Sequence, residues 1–262
     1  MVNTKLIPVP AFTDNYIWMV CKDGHAIVVD PGESAPVEAM LTQHGLMLDA
    51  ILLTHHHGDH VGGVLALQQR TKAPVYGPAT ESLPVCDYPM RGGDTVQLPR
   101  VGLSLRVIDI PGHTAGHIAF YGQMDTGEPV VFCGDTLFAA GCGRLFEGTP
   151  TQMVDSLAKL SALPSDTLVC CGHEYTLANL RWALQVEPNN TALQQRWDAA
   201  SRLREAGAPT LPSTIGAELS TNPFFRTSQV AVTDAASRHA GKRLNDSVAV
   251  FTSLREWKNN FR

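Results

Sequence analysis

No stretch of this 262-residue sequence runs apolar for the roughly 18 residues that a membrane-crossing helix needs; Ala26–Val29, Ala50–Leu53 and Val130–Cys133 typify its short hydrophobic runs. A membrane protein is therefore not expected. The amino-terminal residues MVNTKLIPVPAF lack the basic region, long apolar stretch and small-residue cleavage site of an export signal, so a cytoplasmic location is expected. Cysteine is sparse: six residues, none in a C-x-x-C pair, which argues against a disulfide scaffold and for reduced, buried thiols. Positive charge is in deficit, 20 Lys+Arg against 25 Asp+Glu for a net charge of -5, and no nucleic-acid partner is expected. With 44% hydrophobic residues the chain can still bury a sizeable core.

Residues 1–173 alternate short β-rich runs with Gly, Pro and Asp punctuation. Strands are expected at Tyr16–Cys21, His25–Asp30, Ala50–Thr54, Leu103–Ile110, His117–Tyr121, Val130–Cys133 and Thr167–Cys171. Helices are expected at Ala35–His44, Val61–Arg70 and Thr151–Leu160, the last opened by Thr149-Pro150 as cap and first turn. This pattern predicts a layered α/β domain with mixed sheets. Residues 174–262 read as a second, helical domain, with long periodic segments at Leu177–Val186, Thr191–Ala206, Ser228–Ala240 and Asp246–Asn260. Charge changes with texture: residues 1–174 hold 9 Lys+Arg and 18 Asp+Glu, residues 175–262 hold 11 and 7. The basic half could receive an anionic substrate, or could be a solvated face without a role.

The densest chemistry is THHHGDH, Thr54 to His60, placed directly after an apolar strand. His55 and His57, two apart, point the same way from an extended segment. Gly58 is expected to let the backbone turn tightly, so that Asp59 and His60 face an adjacent point. One loop can thus feed two neighbouring metal positions, and imidazole with carboxylate is the ligand set of zinc, iron or manganese. His113 in PGHTAGH, Asp135 in CGDTLF and His173 in CGHEY all follow expected strands with a glycine beside them. Side chains at strand ends on one rim can converge on such a site.

This order of H-x-H-x-D-H, then His, then GD, then GH resembles the metallo-β-lactamase superfamily, which implies a four-layer αβ/βα sandwich. Within it, GDTLFAAGCGRLFEGT (Gly134–Thr149), CGHEYTLANLRWALQVEPNN (Cys171–Asn190), LPSTIGAELSTNPFFR (Leu211–Arg226) and the closing LREWKNNF resemble the glyoxalase II, or hydroxyacylglutathione hydrolase, family over nearly the whole chain. The resemblance implies two divalent metals, zinc first with iron or manganese as alternatives. His55, His57 and His113 would hold one, Asp59, His60 and His173 the other, and Asp135 would bridge them. It implies glutathione contacts from Arg144, Tyr175, Arg255 and Lys258, with Phe146 standing where some members have a tyrosine. It also implies a monomer acting on a glutathione thioester such as S-D-lactoylglutathione, with residues 1–173 catalytic and 174–262 substrate-binding.

In that chemistry a hydroxide formed from water between the metals attacks the thioester, while Asp59 and Asp135 temper the charge and hold the hydroxide. The leaving thiolate demands no dedicated acid. Rival activities are a lactonase, a mononuclear-iron persulfide dioxygenase and an RNA-processing nuclease, the last disfavoured by charge; a non-catalytic ligand-binding module is the rival from another class. Among neighbours, His56 reads as structural, and His117 as structural or as orienting a ligand. Asp30 reads as an acceptor for a ligand histidine or a turn cap, and Cys142 as a matter of backbone shape.

Overall fold

The computed structural model describes residues 4–261; Met1–Asn3, the start of the amino-terminal stretch expected to carry no export signal, and Arg262 lie outside it. One sheet carries β1 (Lys5–Ala11), β2 (Asn15–Lys22), β3 (His25–Val29), β4 (Met47–Leu52), β5 (Val75–Pro78) and β6 (Tyr88–Met90) in that spatial order. The middle of the chain supplies β7 (Thr95–Leu98), β8 (Leu103–Asp109), β9 (Ile118–Gln123) and β10 (Pro129–Gly134). A separate hairpin of β11 (Leu137–Phe138) and β12 (Gly141–Cys142) follows, then β13 (Leu168–Cys171) and β14 (Ser213–Thr214). Hairpin aside, these form a second sheet in the order β14-β13-β10-β9-β8-β7.

The central strands are near-continuous apolar runs because both of their faces are covered. Trp18, Val20, Ile27, Val29 and Leu52 point towards Leu105, Val107, Phe120 and Phe132 of the second sheet. Their alternates Ile17, Met19, Ala26, Val28 and Ile51 pack on Val37 and Leu41 of α1 (Ser34–His44) and, beyond a short α2 (Gly58–Val61), on Val64 and Leu67 of α3 (Val64–Thr71). The inner cluster continues across the second sheet to Met153, Leu157 and Leu160 of α4 (Pro150–Ser161). Helix, sheet, sheet, helix is the four-layer order. The fully buried Phe120 and Phe132 each stabilise it by about 1.5–3 kcal/mol. The carboxy-terminal part adds α5 (Thr176–Val186), α6 (Thr191–Glu205), α7 (Ile215–Thr221), α8 (Val230–Ala240) and α9 (Ser247–Asn260). No helix among the described residues is long and apolar enough to cross a membrane.

Three elements differ from the sequence expectation for local reasons. Strand β1 contains Pro8 and Pro10, which hide it from pattern reading; as the edge of its sheet it pairs only with β2, so the prolines' missing N–H groups can face the open side. The helix expected at Val61–Arg70 is split at Gly62-Gly63, where a β-carbon on Gly63 would lie 2.4 Å from the Glu33 backbone. The carboxy-terminal part is also not purely helical, since β14 extends the second sheet beside β13. As read from Thr149-Pro150, α4 begins with a reciprocal cap: Thr149 accepts from Gln152 N–H, and the Gln152 side chain accepts from Thr149 N–H.

Candidate metal centre and substrate cavity

After β4 the chain stays extended to His57 (φ -61°, ψ 143°) and enters α2 at Gly58. This brings ligand atoms of His55, His57 and His113 within 4.8 Å of one another, and likewise those of Asp59, His60 and His173. Asp135, following β10, lies between the two triplets. Its Oδ2 is 3.5 Å from His113 Nε2 and 3.3 Å from His173 Nε2, and its Oδ1 is 3.3 Å from His60 Nε2. The turn between the two pairs of the THHHGDH loop is not the one expected. Gly58 has no left-handed φ and open space around it, so the change of direction comes from entering α2 rather than from glycine freedom.

Four of the five clustered imidazoles are oriented through Nδ1. His55 Nδ1 meets Thr54 Oγ1 at 3.0 Å, and that hydroxyl donates to Asp30 Oδ2 at 2.6 Å. His60 Nδ1 meets the same Asp30 oxygen at 3.1 Å, and His173 Nδ1 meets Asp14 Oδ1 at 2.8 Å. His113 Nδ1 donates to the Arg144 carbonyl at 2.9 Å; a carbonyl can only accept, so Nε2 is left as the lone-pair nitrogen. Partners of this kind fix tautomer and ring direction. His57 differs, turning Nδ1 to within 2.9 Å of His113 Nε2. Asn15 Nδ2 donates to Asp59 Oδ2 at 3.0 Å, and His117 Nε2 accepts the Asp135 N–H at 3.2 Å. His117 thus holds the backbone of the central aspartate.

The cluster asks for cations. Among the described residues His55 Nε2, His60 Nε2 and Asp135 Oδ1 are buried without a hydrogen-bond partner, an expensive state unless an ion takes their lone pairs. A β-carbon on Gly172 would lie 2.5 Å from Asp135 Oδ1 and 2.6 Å from His60 Cε1, so the glycine leaves this space to the ligands. Burial holds His55, His57 and His113 below the usual imidazole range, which keeps them neutral and able to ligate. Burial also opposes charge on His173, but Asp135 and Asp59 outweigh it and push it up to about 10. The His173 hydrogen bond in turn draws the Asp59 carboxyl down. The donors fit divalent cations, with three imidazoles on one side and a carboxylate with two imidazoles on the other.

This cluster floors a cavity of about 770 Å³ whose walls include Arg144, Phe146, Tyr175, Arg255 and Lys258. Phe146 is 63% exposed, its ring edge-on to His57 and His113 at 5.5 and 5.3 Å. Tyr175 stacks on His173 at 4.7 Å. Lys258 Nζ donates to the Ala178 carbonyl at 3.2 Å and lies 6.0 Å from the Trp182 ring, and burial pulls its ammonium down to about 8. Arg255 is buried and partly committed: Nη1 donates to the Cys142 carbonyl at 2.8 Å and Nε to Asn259 Oδ1 at 3.0 Å. Cys142 thus meets Arg255 mainly through its backbone carbonyl, with its Sγ 3.7 Å from the same Nη1.

Sequence reading missed the residues that hold these loops. Asp14 ends the turn between β1 and β2 and Asn15 opens β2, a corner tied to the site because Tyr16 N–H donates to the Gly172 carbonyl and Glu174 N–H to the Asp14 carbonyl. From the carboxy-terminal part, Asn179 Nδ2 donates to the Ala139 carbonyl, Asn222 Nδ2 to the Gly141 carbonyl, and Glu218 Oε2 accepts the Ala140 N–H. These three grip the β11–β12 hairpin, which connects Asp135 to Arg144. A fully buried polar residue such as Glu218, 0% exposed, leaves no mark in the sequence pattern.

Residues 11–173 match the family described as the metallo-beta-lactamase superfamily, and residues 174–261 match the hydroxyacylglutathione hydrolase C-terminus. A hydroxyacylglutathione hydrolase of Nitrosomonas eutropha is 51% identical over 256 residues, covering 98% of each chain. Among solved structures, ETHE1 from Myxococcus xanthus superposes with a TM-score of 0.65 at 24% identity, covering 100% of this chain and 92% of that one. TTHA1623, solved in a di-iron-bound form, superposes with a TM-score of 0.59 at 28% identity, covering 83% and 99%.

Proposed function

Since the chain belongs to the hydroxyacylglutathione hydrolase family within the metallo-β-lactamase superfamily, we propose that it hydrolyses S-(2-hydroxyacyl)glutathione, such as S-D-lactoylglutathione, to glutathione and a 2-hydroxy acid. What carries this reading is the cavity itself: a floor of clustered His and Asp side chains under a wall bearing Arg144, Arg255 and Lys258. The substrate has the same two parts, a thioester and a tripeptide with two carboxylates.

His55, His57 and His113 would hold one divalent cation and Asp59, His60 and His173 a second, with Asp135, which lies within 3.5 Å of nitrogens of both triplets, serving the two. Zinc is the first choice; iron is the alternative supported by the di-iron form of TTHA1623, and manganese suits the same donors. Bound there, such cations supply a hydroxide nucleophile near neutral pH and polarise the thioester carbonyl. The residues of the chain do the rest. Thr54, Asp30, Asp14 and the Arg144 carbonyl keep the imidazoles aimed before substrate arrives, so little reorganisation is needed during reaction. Lys258 and Arg144 receive carboxylates of the tripeptide, and Arg255 shapes the wall while lending charge. Tyr175 and Phe146 flank the acyl end on either side of the cluster. The departing thiolate is stable enough to leave without a proton donor.

Residues 1–173 are taken as the catalytic part and 174–262 as the substrate-binding part. A cytoplasmic monomer is proposed, and a reducing compartment suits the six free cysteines. The match over residues 174–261 favours the glutathione thioester over a lactone or a persulfide.

The test is steady-state hydrolysis of S-D-lactoylglutathione by metal-loaded protein, with chelator-treated and His57→Ala controls and a simple lactone assayed in parallel. Metal-dependent thioester cleavage with little lactone turnover is expected. No thioester cleavage by protein carrying two metal equivalents would refute the substrate assignment.

A further inference from the structure

Outside the proposed ligands, His56, Glu81 and Glu147 also converge, their ligand-type atoms lying within 4.8 Å of one another. This group differs from the metal cluster in being saturated. Glu81 Oε1 accepts from the Gly116 N–H at 3.1 Å and from the Thr114 hydroxyl, and Glu81 Oε2 faces His56 Nδ1 at 2.9 Å. Glu147 Oε1 faces His56 Nε2 at 3.2 Å, and Glu147 Oε2 accepts from the Ala115 N–H at 2.8 Å. Every carboxylate oxygen and both ring nitrogens have partners, so the group needs no cation and acts as a joint.

The joint meets four segments. His56 lies in the THHHGDH loop, Glu81 follows β5, and Ala115 and Gly116 belong to the loop that carries His113. Glu147 belongs to the loop of residues 143–149 that carries Arg144 and Phe146. The backbone of this last loop leans on the His113 loop: the Arg144 carbonyl accepts from His113 Nδ1, Phe146 N–H donates to the His113 carbonyl, and Gly148 N–H to the Gly112 carbonyl. Among the described residues Glu147 is its one polar side-chain tether to both the His113 loop and the THHHGDH loop, beside the edge contacts of the Phe146 ring.

We propose that Glu147 is a positioning residue for substrate recognition: by bridging Ala115 N–H and His56 it clasps the 143–149 loop so that Arg144 enters the cavity ordered and ready for a glutathione carboxylate. The inference rests on the glutathione reading given above. Without the clasp the arginine side chain must be ordered as substrate binds, a cost that appears in KM, whereas His55, His60 and His173 keep partners outside this loop and the backbone bonds of residues 144–148 still hold its chain to the His113 loop.

The test is a cycle of Glu147→Ala, Arg144→Ala and the double variant, with Glu147→Gln as the conservative replacement, assayed on S-D-lactoylglutathione with metal content measured throughout. Glu147→Ala is expected to raise KM about tenfold with kcat and bound metal within about twofold, the loss of one charge-assisted hydrogen bond. Glu147→Gln, which keeps an acceptor for Ala115, should restore much of that, and Glu147→Ala should add nothing on top of Arg144→Ala. Additive KM effects, or a fall in kcat with metal loss, would overturn the proposal. Amide hydrogen exchange over residues 143–149 provides a readout independent of turnover, and should quicken in Glu147→Ala. Unchanged exchange would overturn the clasp, whereas a wild-type protein unable to cleave the thioester would overturn the function reading instead.

Discussion

The floor of the cavity and its rim are held in opposite ways. On the floor, His55, His60, His113, Asp135 and His173 are buried, and each is positioned by a group outside the ligand set: Thr54, Asp30, the Arg144 carbonyl, His117 and Asp14. On the rim, Arg144 and Phe146 stand exposed, Tyr175 is 36% exposed, and Lys258 rests partly buried on an aromatic shelf. A floor set before substrate arrives governs turnover and metal retention together, whereas a rim that only holds bound substrate governs KM.

The strongest challenge to this division is Asp135→Ala. Asp135 approaches both triplets, so its loss should lower kcat by about 10³-fold, more than the 10–100-fold typical of changes one shell out, and reduce bound metal in the same preparation. A variant with full metal content and a changed KM alone would place Asp135 on the rim. Next in size is Asp14→Ala, which takes the acceptor from His173 Nδ1 at 2.8 Å. Metal retention should weaken by about 10–100-fold, and on one side only. In a chelator competition one equivalent should leave early while the other stays. Simultaneous loss of both equivalents would show that the floor is a single unit rather than two triplets sharing Asp135.

Lys258 tests the rim through pH. Burial, with Arg255, Arg181 and Arg144 nearby, lowers its ammonium from 10.5 to about 8. The unfolded chain therefore binds the proton more tightly, and this group makes stability rise with pH between about 8 and 10.5. At pH 7 the charge is a cost to folding that a bound carboxylate offsets. Lys258→Met should accordingly raise Tm at pH 7 while raising KM about tenfold with kcat nearly unchanged. In the wild type KM should be lowest below pH 8 and climb as the pH passes through it, and Lys258→Arg should flatten that climb. A pH-independent KM in the wild type would remove Lys258 from carboxylate binding.

The same division governs what could be read from sequence. The floor announces itself because four histidines and an aspartate fall within seven residues and the remaining candidates follow recognisable strands, so local pattern and chemistry coincide. Its supports do not, since Asp14 lies 159 positions from the His173 it orients. Glu81 and Glu147 are likewise brought to His56 only by folding. The rim residues are scattered single side chains, and only a family resemblance picks them out. In the fold, the apolar runs of β2, β3, β4, β10 and β13 were legible because both faces are buried, whereas β1 was masked by Pro8 and Pro10, and β5, β6 and β7 are too short, at three or four residues, to show a period.

The smallest expected effect lies where rim and floor touch. Phe146 belongs to the rim by exposure, yet its ring stands edge-on to His57 and His113. Phe146→Tyr adds a hydroxyl to a ring that is 63% exposed, so no polar group is buried and folding stability should change by less than about 0.5 kcal/mol. If the ring acts only as rim, the hydroxyl can add one hydrogen bond to bound substrate, lowering KM by about two- to tenfold with kcat unchanged. Phe146→Ala separates the two roles more sharply. It removes the edge contacts with both histidines, and a rim residue should then raise KM while leaving the metal content intact. Loss of metal in Phe146→Ala would mean that the aromatic ring helps to hold His57 and His113 in place, and that the boundary between floor and rim runs through this side chain.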